Sequence, residues 1–137
     1  MKISLPDVAT QQRVIFQEST KYGIQQLQAN LNAPCIAPPV EPSEAGHSHL
    51  LRKNEGWVAP DRALVKVYFK HFQENFPEYG TDAKLAALLG LSAKAGDRRI
   101  REYKEGTYPV PYGVWREFLV ITGRVPQDIT RVLAIVG

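Results

Sequence analysis

The chain has 137 residues, 44% of them hydrophobic, and carries 17 basic against 14 acidic side chains. That is enough for one ordinary domain, too little for two large ones, and unlike collagen, a coiled coil or a wholly disordered chain. Residues 1–60 hold five basic and five acidic side chains and residues 61–137 hold twelve and nine, so the whole excess of three lies in the second part.

Cys35 is the single cysteine, which excludes an intramolecular disulfide and fits a reducing, cytoplasmic setting. The start, Met1-Lys2-Ile3-Ser4-Leu5-Pro6-Asp7, lacks the apolar run of a secretion signal. No stretch approaches the roughly 18 apolar residues of a membrane span. A soluble chain with no membrane partner is expected.

In chain order, Pro6-Asp7 predicts the start of a helix running to about Leu31. Val8, Ile15, Phe16, Ile24, Leu27 and Leu31 approximate a helical stripe, but Gly23 interrupts it and Val14-Ile15-Phe16 equally suits a strand. The other faces are rich in glutamine, as befits a covering or interaction element. From Asn32 to His49 the composition changes: Pro34, Pro38, Pro39 and Pro42 exclude regular helix. The expected organisation is an N-terminal extension over 1–31, a Pro-rich linker over 32–56 and a helical domain over 57–137. Leu50, Leu51, Trp57 and Val58 are candidate anchors onto that domain.

The clearest helix spans residues 61–76, where Leu64, Val65, Tyr68, Phe69, Phe72 and Phe76 recur at three- and four-residue spacing. Arg62, Lys66, Lys70 and Glu74 lie mostly on its other side, an ordinary solvated face. Thr81 suits an N-cap for a helix over 82–89, with Asp82 near the positive end of its dipole, and Gly90 suits the left-handed C-cap. Asp97 is expected to cap a further helix that Gly106 ends. Tyr108-Pro109-Val110-Pro111 must be extended. Residues 112–122 predict a helix built on Val114, Trp115, Phe118, Leu119 and Ile121, and Pro126-Gln127-Asp128 opens a last short helix through Val132, Leu133 and Val136.

The functional signal lies between Lys84 and Gly106. Leu85, Ala86, Leu88 and Leu89 form the buried side of one short helix, with Ala86 small where two helices must cross. In the next helix Ile100 and Tyr103 face inward. Residues 94–104 carry five basic side chains (Lys94, Arg98, Arg99, Arg101, Lys104) against Asp97 and Glu102, a local excess suited to a polyanion. Arg98 and Arg101 are the candidates for base edges, since arginine pairs bidentately with guanine O6 and N7. Arg99, Lys94 and Lys104 are candidate phosphate clamps. Glu102 either accepts from cytosine N4 or orients Arg98 as an i,i+4 pair. The bland alternative for such a helix is a solvated face held by ion pairs.

The set Leu85-Ala86, Gly90-Leu91-Ser92, Ile100-Arg-Glu-Tyr103-Lys-Glu-Gly106, Pro109-Val-Pro111 and Trp115-Arg-x-Phe-Leu119 makes residues 82–122 resemble the Cro/λ-repressor type of helix-turn-helix domain found in phage and mobile-element regulators. The resemblance implies an all-α bundle containing a helix-turn-helix, and DNA contacts at Asp97, Arg98, Arg101 and Glu102. One departure stands out: the turn from Gly90 to Ile100 is about four residues longer than the compact motif. Ser92-Ala-Lys-Ala-Gly96 must enlarge the turn or extend the recognition helix backwards.

Other constellations are thin. Cys35, His47, His49 and His71 match no closed zinc spacing, so no metal or cofactor is expected. No Gly-rich phosphate loop, nucleophile elbow or His-Glu-x-x-His is present, and no catalytic residue is expected. The reading is sequence-specific binding of double-stranded DNA by a transcriptional regulator acting as a homodimer. The alternative is a protein-interaction module or mobile-element accessory factor that engages a host protein through its N-terminal extension.

Overall fold

The computed structural model describes residues 3–136; Met1, Lys2 and Gly137, the outer ends of the expected extension and domain, lie outside the described residues. The described residues form five α-helices and three short 3-10 turns with no strand, so the protein is all-α. They divide into two units, one comprising the chain through Ala37 with the stretch from Ile129, the other Pro38–Asp128.

In the first unit, α1 (Val8–Asn30) runs unbroken for 23 residues. Asp7 caps it, its carboxylate accepting from the Thr10 amide at 2.7 Å, and that bond holds the Asp7 carboxyl below its ordinary pKa. Gly23 does not interrupt the helix, because a glycine costs only about 1 kcal/mol in a helix interior. No residue of α1 is buried. The last short helix expected through Val132, Leu133 and Val136 does not form; residues 124–136 are irregular. Ile129, Val132, Leu133 and Val136 are all more than half exposed. A helix that short is not stable without an apolar face to pack on.

The second unit holds the core. α2 (Arg62–Asn75) buries Leu64, Val65, Tyr68, Phe69 and Phe72, the stripe its spacing predicts, with Phe76 half-buried just beyond it. Burying such side chains contributes roughly 1.5–3 kcal/mol each. α3 (Asp82–Leu88) is capped by Thr81, whose hydroxyl accepts from the Lys84 amide at 3.3 Å. α4 is Gly96–Glu105 and α5 is Tyr112–Ile121. Trp115, Phe118 and Leu119 of α5 are wholly enclosed, while Ile121, expected on the same stripe, is 38% exposed. Val110 is buried and anchors the extended Tyr108–Pro111 segment, and Pro111 is the N-cap of α5.

Residues 38–56, expected as linker, belong to this unit. The Tyr68 hydroxyl donates to the Glu41 carboxylate, and Arg116 donates to the Leu50 carbonyl at 3.2 Å. Burial, and then the bond to Glu41, push the Tyr68 pKa up to about 12. His49, within the expected Pro-rich linker, is buried between Tyr68 and Trp115, its Nδ1 accepting from the Trp115 indole N–H at 3.1 Å. Of the four candidate anchors, Leu50 and Trp57 pack against the core, whereas Leu51 and Val58 are exposed.

Candidate nucleic-acid interface

α3 and α4 make the most extensive helix-to-helix contact in the unit, with α2 against α4 next. The connection between them is built residue by residue. Gly90 takes the left-handed conformation (φ +75°), and the Leu91 amide returns to the Ala86 carbonyl at 2.9 Å, closing α3 as a glycine C-cap does. The Ser92 carbonyl then accepts from the Ala95 amide at 3.3 Å and the Gly96 amide at 2.6 Å, winding the chain before α4 begins. Asp97 is therefore not the cap: α4 starts at Gly96, with Ala95 as N-cap and no side-chain bond there. Both expected solutions to the long turn are used, an enlarged turn over 91–95 and a helix extended back past Asp97.

Gly96 is buried against α3, where a Cβ would lie 2.7 Å from the Ala86 Cβ. Gly106 ends α4 with φ +80°, and a Cβ there would lie 2.8 Å from Arg62 Cδ. The signal for Gly96 in the sequence is a second small residue placed to meet Ala86.

Between these ends Ile100 and Tyr103 point into the core, and burial raises the Tyr103 pKa. Asp97, Arg98, Arg101 and Glu105 are consequently left exposed. The cations of this face are not bare. Arg98 Nε lies 3.3 Å from Glu102 Oε1, and Arg101 lies 3.9 Å from Asp97, both as i,i+4 pairs. Glu102 is largely buried and also holds Arg99 at 3.2 Å, while the Arg99 guanidinium sits 4.8 Å from the centre of the Tyr108 ring. Glu102 thus pairs with two arginines at once.

The remaining two candidates part company. Lys94 is exposed in the turn before α4, its amide bonded to Ser92 Oγ. Lys104 is drawn inward, its ammonium donating to Asp82 at 2.7 Å on α3 and to Gln73 at 2.9 Å on α2. Gln73 also donates to the same Asp82 oxygen at 3.2 Å, so the three side chains tie three helices together. That geometry fastens Lys104 to α2 and α3.

Among the described residues, no group of three or more His, Cys, Asp or Glu side chains converges as metal ligands, and no helix is long and apolar enough to cross a membrane. A scan of protein-family models and searches of curated proteins and of solved structures found no match to this chain.

Proposed function

We propose that the chain binds double-stranded DNA sequence-specifically through a helix-turn-helix formed by α3 and α4, and acts as a transcriptional regulator. The observation that carries the reading is the division of α4. Ile100 and Tyr103 lock one side into the core, and the opposite side offers Arg98 and Arg101 to solvent. A helix of that kind, seated on a second short helix, presents arginines to guanine edges in the major groove. Arg99 and Lys94 flank it and are suited to phosphates. The Arg101–Asp97 pair does not argue against this role, because both side chains are exposed and such i,i+4 pairs contribute only about 0.3–0.5 kcal/mol and exchange readily for a phosphate or a base.

A single recognition helix covers a short half-site, so a homodimer on a two-fold operator is part of the proposal. The test is a fluorescence-anisotropy titration of duplex DNA at several salt concentrations, with the Arg98→Ala/Arg101→Ala variant alongside. Salt-dependent binding by the parent and its loss in a folded variant are the expected results. An absence of binding at low salt by the folded parent would overturn the reading.

A second reading, a module that engages another protein, is favoured by α1. Val14, Ile15, Tyr22 and Ile24 are each at least half exposed on a 23-residue helix with no buried residue. Substituting Ile15 and Ile24 by Asp separates the two readings: DNA binding by a monomeric half-site assay should be unaffected, while association through α1 should be lost.

A further inference from the structure

α2 and α4 enclose an open groove lined by Arg62, Ala63, Lys66, Arg101, Lys104 and Glu105. Four of those six side chains are cationic and one is acidic, but their charges are not equally available. Lys104 is neutralised by Asp82. Arg62 stands in the first turn of α2 with its stem against Gly106, and its guanidinium reaches the Glu105 carbonyl at 3.5 Å. Its head lies at the rim of the groove. Lys66 follows one turn later and is exposed. Arg101 closes the groove from α4, its guanidinium 3.9 Å from the Asp97 carboxylate.

Arg101 belongs to this groove and to the exposed face of α4 alike, so the two surfaces are continuous. We infer that the α2–α4 groove is a seat for the DNA sugar-phosphate backbone, in which Arg62 and Lys66 grip phosphates beside the major groove entered by α4. The inference rests on the DNA-binding reading and extends it to a second helix. The chemistry favours phosphate over an apolar partner, because the lining is charged stems and heads with a single alanine. A cation pair one helical turn apart matches a run of phosphates, whose contacts fix register without reading sequence. An acidic protein segment would meet the same charges, and the experiment separates the two.

Each phosphate contact releases counterions and steepens the dependence of log affinity on log salt by about 0.9 for duplex DNA. The test uses the full chain and two duplexes, one carrying a selected binding sequence and one of random sequence, titrated across a salt series. Lys66→Gln should flatten the slope by about 0.9, and Arg62→Gln/Lys66→Gln by about 1.8, with affinity for both duplexes falling by the same factor. Lys70→Gln, on α2 but outside the groove, should leave the slope unchanged. Arg62 packs on Gly106 and its loss can disturb the fold; Lys66 is exposed, so the single variant decides the matter on its own. An unchanged slope in Lys66→Gln, with binding still lost in Arg98→Ala/Arg101→Ala, would overturn the groove while leaving the DNA reading intact. No duplex binding by the parent would overturn both, and would leave the groove to an acidic polypeptide.

Discussion

Ala86 and Gly96 meet where α3 and α4 cross: a Cβ added at Gly96 would stand 2.7 Å from the Cβ of Ala86, well inside contact distance. The Ala86 methyl is attached to a helix backbone and cannot swing aside, so a side chain at 96 must push the two helices apart. Overpacking of this kind costs about 1–3 kcal/mol. Gly96→Ala should lower the unfolding free energy by that amount and, on the proposed DNA-binding role, weaken binding further, since α4 is displaced from the helix beneath it. Ala86→Gly combined with Gly96→Ala should recover part of the loss, beyond the additive expectation for two independent changes. Additive behaviour in denaturant melts of the four proteins would show that the contact is not strained by the new methyl.

His49 gives the protein a pH dependence with a definite sign. Its Nδ1 accepts from the Trp115 indole N–H, which requires an unprotonated nitrogen there, and burial pushes its pKa below the ordinary 6.5. Glu41 opposes the shift, and His47 and Arg124 reinforce it. The unfolded chain then takes up the proton first as pH falls. Stability is full above about pH 6.5 and declines below it, until the depressed pKa of the folded state is reached. Urea melts at about pH 7.5 and about pH 5 should differ, and His49→Gln, whose amide oxygen can still accept from Trp115, should lose most of the difference. An equal pH dependence in His49→Gln would place its origin elsewhere.

The helices and the inward face of α4 were legible because their signals are local. The α2 stripe, Thr81 as cap, Gly90 and Gly106 as left-handed ends, and Ile100 with Tyr103 on one side all follow from spacing of three and four or from backbone geometry at one residue. What escaped depends on distant partners. His49 looks like loop until Trp115, 66 positions away, supplies its hydrogen bond. Lys104 looks like one more basic side chain until Asp82, 22 positions away, takes its charge. Asp97 has the right side chain for a cap, but the wound turn through Ser92 and the fit of Gly96 against Ala86 start the helix earlier. The stretch after Asp128 has apolar residues at usable spacing but remains exposed, so nothing stabilises a helix there.

Lys104 distinguishes a fastener from a phosphate clamp. Its ammonium bridges Asp82 and Gln73 with its side chain only 22% exposed, so Lys104→Met should cost about 1–2 kcal/mol through the loss of charge-assisted hydrogen bonds. The salt slope of DNA binding should be unaltered. A slope flattened by about 0.9 in a variant of parental stability would instead restore the phosphate role.

Glu102 and Asp97 set how freely the arginines of α4 can be used. Glu102 holds Arg98 and Arg99 together, and Asp97 lies beside Arg101. In free protein these pairs keep the guanidinium groups close to the helix and lower the net charge that non-specific DNA meets. Glu102→Gln removes one negative charge while keeping size and shape, so it should tighten binding to random duplex several-fold at low salt, an effect that added salt should suppress. On the proposed DNA-binding role, binding to the selected sequence should gain less, because Arg98 loses its ion-pair partner. The ratio of specific to non-specific affinity should therefore fall. Asp97→Asn should act in the same direction through Arg101 and more weakly, its pair being the longer one. Asp97→Asn, at an exposed site, should move stability by no more than about 0.5 kcal/mol, with a larger cost for Glu102→Gln at a largely buried one. If Glu102→Gln strengthened binding to both duplexes by one common factor, Glu102 would act only through net charge, and the orientation of Arg98 would have no part in selectivity.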